Sequence, residues 1–260
     1  MADLRDESSF DWGLVDIHAH ILPGIDDGAV AIEESIEMAK AAVARGVSAI
    51  IATPHFNSCY KCDRTVLDKE VASLREALNA LNVDLKVYPG AEVRISPEVL
   101  DSLDAGRVQP LAGSRYVLIE LPFDEIPFYA RDLVFKLRLK GLVPVLAHPE
   151  RSASVQKRID RLEGFIGQGC LVQLNASSLE AGFGQDYATA VKIIERGWAF
   201  AIASDAHDLG TRPPGLKAAA RVAARLLGKQ KALKLVRENP LRIISDGEGS
   251  SRSDGLGSGR

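Results

Sequence analysis

The chain has 260 residues, with 32 Lys and Arg against 35 Asp and Glu for a formal net charge of −3, and it is 46% apolar and 26% charged. That is the composition of an ordinary globular protein, and the missing basic excess argues against a dedicated nucleic-acid binder, which needs surplus Lys and Arg to neutralise phosphates. No apolar run reaches the roughly 18 residues that cross a bilayer, and the N-terminus is too polar for a signal peptide, so no membrane insertion and a cytoplasmic location are expected.

Residues 1–13 are polar and acidic and are expected to form a flexible extension. From Leu14 the chain alternates short apolar runs with amphipathic segments. LVDI (14–17) is followed by a helix over 31–45 closed by Gly46, and VSAIIAT (47–53) by a helix over 63–81. Leu67, Val71, Leu74, Leu78 and Leu81 recur there at helical spacing. LKVYPG (85–90), YVLIEL (116–121), LVPVLA (142–147), CLVQLN (170–175) and WAFAIAS (198–204) complete seven strand-like runs, with helices over 127–140, 155–167, 185–196 and 216–228. A last helix over 229–238 is expected to stop at Asn239-Pro240, and the Gly- and Ser-rich residues 247–260 to form a disordered tail. The runs are continuously apolar rather than alternating, as in parallel strands covered on both faces. Seven βα units in one domain over 14–246 predict an α/β fold, a distorted (β/α)7 TIM-like barrel. An open doubly wound sheet is the alternative.

Every one of the five histidines follows an apolar run: His18 and His20, His55, His148 and His207. Carboxylates occupy matching places, with Asp26 and Asp27 after the first run, Glu92 after the third, Glu120 in the fourth and Asp205 after the last. In a parallel barrel all these strand ends open on one face, so residues spread along the chain converge. Imidazoles and carboxylates without thiolates suit Mn²⁺, Zn²⁺ or Fe. In His18-x-His20 both rings share one face of an extended segment, which favours chelation of one ion. Asp16 lies inside its strand and reads as structural support. Arg151 and Arg212 stand near the histidines, where a planar guanidinium can hold a phosphate oxygen; a surface ion pair is the alternative for each.

Cys59, Cys62 and Cys170 are an odd number in a chain that needs no disulfide staples. Cys59 and Cys62 form a C-x-x-C without a second pair, and no cysteine is followed by an arginine six residues on, as thiolate phosphotransfer would need. No nucleotide-binding glycine loop occurs, and Ser177 and Ser178 read as loop caps.

The segments VDIHAHILPGIDDGA (15–29), IIATPH, PGAE, LIELP, AHPER, VQLNASSL and ASDAHDLGTRPP resemble the polymerase and histidinol phosphatase (PHP) superfamily. More narrowly, the chain is similar over 14–245 to the bacterial manganese-dependent protein-tyrosine phosphatases of capsular and exopolysaccharide gene clusters. The resemblance implies two or three ions, Mn²⁺ first, with Fe, Zn²⁺, Co²⁺ or Mg²⁺ as alternatives. One ion would take His18, His20, Glu92 and Asp205, a second Glu92, Glu120 and His148, and a third Asp27, His55 and His207. It further implies Arg151 and Arg212 on the substrate phosphate and hydrolysis of phosphotyrosine by a metal-bridging hydroxide. The expected substrate is a phosphotyrosine protein, the tyrosine-rich tail of a bacterial tyrosine kinase. Other readings are a small-molecule phosphomonoesterase of the histidinol-phosphate type, a nuclease of the same superfamily, and a non-catalytic metal-bound phosphotyrosine-binding scaffold.

Overall fold

In the computed structural model, which describes residues 13–254, the apolar runs become parallel strands whose alternate residues enter two different cores. The elements are β1 (Leu14–Ala19), α1 (Ile32–Ala44), β2 (Val47–Ala52), β3 (His55–Phe56), α2 (Arg64–Ala80), β4 (Lys86–Pro89), β5 (Glu92–Arg94), α3 (Val99–Asp104), β6 (Tyr116–Glu120), α4 (Ala130–Leu139) and β7 (Val143–Ala147). They continue with α5 (Ala153–Lys157), α6 (Glu163–Gly167), β8 (Leu171–Asn175), α7 (Ala176–Glu180), α8 (Gly184–Glu195), β9 (Ala199–Ala203), α9 (Lys217–Leu227), α10 (Lys229–Leu233) and α11 (Asn239–Asp254). Val15, Ile17, Ala49, Ile51, Leu118, Val145, Ala147, Ala201 and Ala203 form the inner core. Their neighbours Leu14, Ile50, Ile119, Leu146 and Ile202 pack outward under the helices with Met38, Leu74 and Val134. Period-two alternation therefore buries both faces.

Two of the seven expected strands resume past a break. Pro54 has no N–H for a ladder, so the run at 47–53 ends as β2 and the unexpected β3 follows it, and past Gly90-Ala91 the run at 85–90, which forms β4, is followed by the unexpected β5. A β side chain at Gly90 would lie 2.8 Å from Ile51. The result is a lower sheet, β1-β2-β4, and an upper sheet, β3-β5-β6-β7-β8-β9. The ring closes where the Asp205 N–H donates to the His18 carbonyl and the His20 N–H to the Ala206 carbonyl, both at 2.8 Å. This excludes the open doubly wound sheet. At the base, a 3-10 turn at Leu111–Gly113 touches β4, β6 and α11, and Leu111, Ile243 and Ile244 plug the inner core.

The outer elements depart from expectation in four places. Leu81 ends α2 and is exposed, outside the buried stripe of Leu67, Val71, Leu74 and Leu78. The segment 155–167 is not one helix but α5, a 3-10 turn at Ile159–Leu162 and α6; Gly164 and Gly167 propagate a helix poorly. Asn239-Pro240 does not stop the chain. A π-helical turn at Lys234–Glu238 leads straight into α11, where Pro240 sits in the first turn and needs no intrahelical N–H partner. Finally, helix α11 continues through 247 to Asp254 where a disordered tail was expected. Arg115 N–H donates to Asp246 Oδ2 at 3.0 Å and Tyr88 Oη to Glu248 Oε1 at 3.1 Å. A Cβ at residue 247 would lie 2.0 Å from the Ala112 carbonyl oxygen, so only glycine fits there. Tertiary contact thus overrides a poor helix composition. Residues 255–260 of the expected tail, and 1–12 of the N-terminal extension, lie outside the described residues.

Candidate metal centre

All nine residues expected as ligands gather at the C-terminal mouth of the barrel. His18 Nε2 and His20 Nε2 are 3.2 Å apart. His18 Nε2 lies 3.4 Å from Glu92 Oε2 and 3.3 Å from Asp205 Oδ1, and His20 Nε2 3.5 Å from each of the same two oxygens. Donors that share an ion at about 2.1 Å stand roughly 3–3.5 Å from one another, so these four atoms have the spacing of one coordination shell. Asp27 Oδ1 lies 3.4 Å from both His55 Nε2 and His207 Nε2, and His20 joins that group. His148 Nε2 is 3.0 Å from Glu92 Oε1. Glu120 stands with His55 and Glu92, whereas the resemblance put it with His148. Glu92 is thus the central carboxylate, in reach of His18, His20, His55 and His148.

The fit of a cation rests on orphaned atoms. Glu92 Oε2, His55 Nδ1 and His207 Nε2 are buried without a hydrogen-bond partner. His55 Nδ1 and Glu92 Oε2 are 2.8 Å apart yet lack hydrogen-bond geometry, and because an imidazole offers one lone pair, His55 ligates either through Nδ1 beside Glu92 or through Nε2 beside Asp27. Each such orphan costs about 1–3 kcal/mol, and divalent ions at the Glu92 and Asp27 groups would relieve that cost. The backbone is strained at the same place: His148 (φ 30°) and Asp205 (φ 53°) are non-glycine residues held in the left-handed region, where such a conformation costs of order 1–3 kcal/mol.

Supporting side chains fix the rings. Asp26 Oδ2 accepts from His20 Nδ1 at 2.7 Å and from the His55 N–H at 2.9 Å, while Oδ1 accepts from the Gly28 N–H at 3.0 Å. Gln173 Oε1 lies 3.0 Å from His18 Nδ1. The contacts to His20 and His18 hold the Nδ1 edge and leave Nε2 for the cluster, the usual arrangement behind ligating imidazoles. Gly28 lets the DDG turn close, since a Cβ there would lie 2.1 Å from the His20 carbonyl oxygen. Asp16 is structural as expected: its Oδ1 accepts the N–H groups of His18 and Ser204 at 3.2 and 3.0 Å, tying β1 to the end of β9. Glu150, buried in the HPER turn, accepts the Asn175 N–H at 2.7 Å.

The cluster's charges pair internally. Burial opposes ionisation of Glu92 and Asp205, but the neighbouring His18 and the other imidazoles hold both carboxyl groups well below their ordinary values. Asp26 is depressed to about 2 because its bonds to His20 and to backbone N–H groups outweigh desolvation. Desolvation also opposes protonation of His148, yet Glu92 and Asp205 lift it to about 9. His20 and His55 are raised by the same kind of partner, against burial, and His207 is lowered by burial and by His20 beside it.

Both expected arginines reach this mouth. Arg151 Nη1 donates to Asp205 Oδ2 at 3.0 Å and Arg212 Nη2 to Asp27 Oδ2 at 3.4 Å, with both side chains about one-third exposed. The sequence reading missed a third. Arg94 Nη1 donates to Glu120 Oε2 at 2.9 Å; its position two residues after Glu92 on β5 was the available signal, because period-two residues share a face. It also missed Asn175, whose Nδ2 donates to Asp205 Oδ2 at 2.8 Å, and Phe123, whose ring stacks on His148. Gln173 was legible only as a polar residue in an apolar strand. The cysteines stay outside: all three are free thiols, and burial with the Asp63 charge pushes Cys62 up to about 12. Ser177 and Ser178 lie in the first turn of α7, capped by Asn175.

The family profile of capsular polysaccharide synthesis, CpsB/CapC, matches residues 14–245. The chain is 41% identical over 207 residues to tyrosine-protein phosphatase YwqE of Bacillus subtilis, covering 76% of this chain and 79% of that one. It is 29% identical over 240 residues to tyrosine-protein phosphatase CpsB of Streptococcus pneumoniae, covering 90% and 99%. Among solved structures, one from work on YwqE from Bacillus subtilis and CpsB from Streptococcus pneumoniae, described as unique metal-dependent tyrosine phosphatases, superposes with a TM-score of 0.86 at 36% identity over 90% of this chain and 95% of that one. A histidinol phosphate phosphatase from Lactococcus lactis shares the fold, with a TM-score of 0.55 at 14% identity over 85% and 94%. With a barrel, a mouth of nine converging donors and a profile match across the domain, the chain belongs to the CpsB/CapC family of capsular polysaccharide synthesis.

Proposed function

We infer that this protein is a metal-dependent tyrosine phosphatase of the CpsB/YwqE type acting in capsule synthesis. The observation that carries the reading is the convergence of nine imidazole and carboxylate donors beside two arginines that keep unused N–H groups. His18, His20, Glu92 and Asp205 would hold one ion, Asp27, His55 and His207 another, and Glu92 and His148 a third, with Glu120 standing beside Glu92 and His55, and Mn²⁺ favoured by an oxygen- and imidazole-rich set free of thiolate. A divalent ion there supplies a Lewis acid for phosphoryl oxygen and lowers the pKa of water from 15.7 toward about 7.

The chain's own groups do the rest. Asp26 and Gln173 keep His20 and His18 oriented, so the ligand set does not rearrange when substrate enters. Arg151 and Arg212 each spend a donor on a carboxylate and present the remainder of five N–H groups to a phosphate, neutralising charge that builds on the transferring group. A tyrosyl leaving group, with a pKa near 10, departs with little protonation.

The substrate on this reading is the phosphorylated tyrosine-rich tail of a bacterial tyrosine kinase. The test is turnover of a phosphotyrosyl peptide, histidinol phosphate and single-stranded DNA side by side with Mn²⁺. Selective hydrolysis of the peptide is expected; preference for either other substrate would replace the reading with a small-molecule phosphatase or a nuclease. Binding without turnover would leave a scaffold.

A further inference from the structure

Phe123 is a large apolar side chain left 40% exposed at the rim of the centre. Its ring stacks nearly parallel on His148, with centroids 5.9 Å apart and planes 17° from parallel. The Arg151 guanidinium carbon lies 5.1 Å from its centroid and that of Arg94 5.9 Å, both within cation–π reach. The backbone is pinned separately, since the Phe123 carbonyl accepts the Ala153 N–H at 2.7 Å and so ties the loop after β6 to the segment following the HPER turn. Three contacts thus hold the ring in one orientation and still leave the residue 40% exposed.

We propose that Phe123 is a specificity-determining residue: the aromatic wall against which the phenyl ring of an aryl phosphate packs while Arg151 holds the phosphate. This deepens the phosphatase reading and rests on it. A phosphate on Arg151 places its ester oxygen beside the ring that the same guanidinium touches. An aryl substituent there gains an offset-stacked contact and buries the exposed part of Phe123, whereas an alkyl chain gains only area. Ordering the ring in advance lowers the entropic cost of that contact. The wall offers nothing to the bare phosphate, so it acts on the leaving-group side alone.

The test is kcat/KM of the cation-loaded enzyme for phenyl phosphate and for propyl phosphate, in wild type and in Phe123→Ala, Phe123→Leu, Phe123→Tyr and Tyr60→Ala. Comparing each variant's aryl-to-alkyl ratio with that of wild type cancels the intrinsic reactivity of the two esters. The ratio is expected to fall about tenfold in Phe123→Ala and in Phe123→Leu, which keeps bulk but loses the π face. It should stay within about twofold in Phe123→Tyr and in Tyr60→Ala, whose ring stacks on His55 instead. Inhibition by inorganic vanadate should move less than about twofold in Phe123→Leu, a readout that general disruption of the site would not spare. An unchanged ratio in both Phe123→Ala and Phe123→Leu, or an equal loss in Tyr60→Ala, overturns this role and leaves the phosphatase reading intact. A wild-type enzyme that hydrolyses neither ester overturns both.

Discussion

The two ends of the barrel are built from the same strands and obey opposite rules. At the base, Val15, Ile17 and Ala49 meet Leu111, Ile243 and Ile244 in an apolar plug closed by α11. At the mouth, the continuations of those strands carry His18, His20 and His55, joined by Glu92 from β5 and Asp205 from the end of β9, with buried orphan atoms among them. The base has only stability to supply, so it minimises void and unpaired polarity. The mouth departs from the second rule, and the departure is tolerated because the plug, the outer core and the backbone bonds that join β1 to the end of β9 hold the ring closed. Structure and chemistry are thus separated along the barrel axis, and each end can be perturbed alone.

The strongest test of that separation is Glu92→Ala. Glu92 is within reach of four imidazoles, so its removal should abolish aryl phosphate turnover and lower bound metal in elemental analysis while the circular dichroism spectrum persists. Normal activity would reject the ligand assignment. At the other end, Ile243→Ala should cost about 2–5 kcal/mol in denaturant unfolding, the usual penalty for emptying a fully buried site. kcat of the folded fraction should not change, and a selective loss of kcat would show that the plug and the mouth are coupled.

Smaller effects sharpen the division within the mouth. Arg151→Ala should leave metal content intact and weaken vanadate inhibition roughly 10- to 100-fold, the size of a lost charge-assisted hydrogen bond. Unchanged inhibition would remove Arg151 from the phosphate site. The smallest effect is in pH. In the cation-free protein His148 is raised to about 9, so at pH 7 it bears a proton that a cation must displace. Mn²⁺ affinity, followed by calorimetry in two buffers, should therefore rise with pH by up to about tenfold per unit per proton released, and His148's contribution should flatten above about pH 9. Without cation the same raised value stabilises the fold below pH 6.5, and that contribution fades as pH rises through about 9.

The sequence alone marked seven strand positions, their parallel arrangement and the five histidines with carboxylates at the strand ends, because continuous apolar runs and a histidine after a run are local patterns read directly from order along the chain, and the family resemblance narrowed these to nine expected ligands. It also marked Arg151 and Arg212 by their nearness to His148 and His207. Tertiary structure alone decided the rest. Pairing resumed past Pro54 and past Gly90-Ala91, and whether the pieces joined one sheet or two depended on what lay beside them. Asn239-Pro240 and Gly247 read as a stop and a tail, yet the base of the barrel offered α11 a surface to fill. The pairings of Gln173 with His18, Arg94 with Glu120 and Phe123 with His148 were likewise invisible, since each joins side chains whose separation is set by the closed ring rather than by their spacing along the backbone. Composition and period specify which residues must leave water, whereas the partner each one meets is a property of the packed whole.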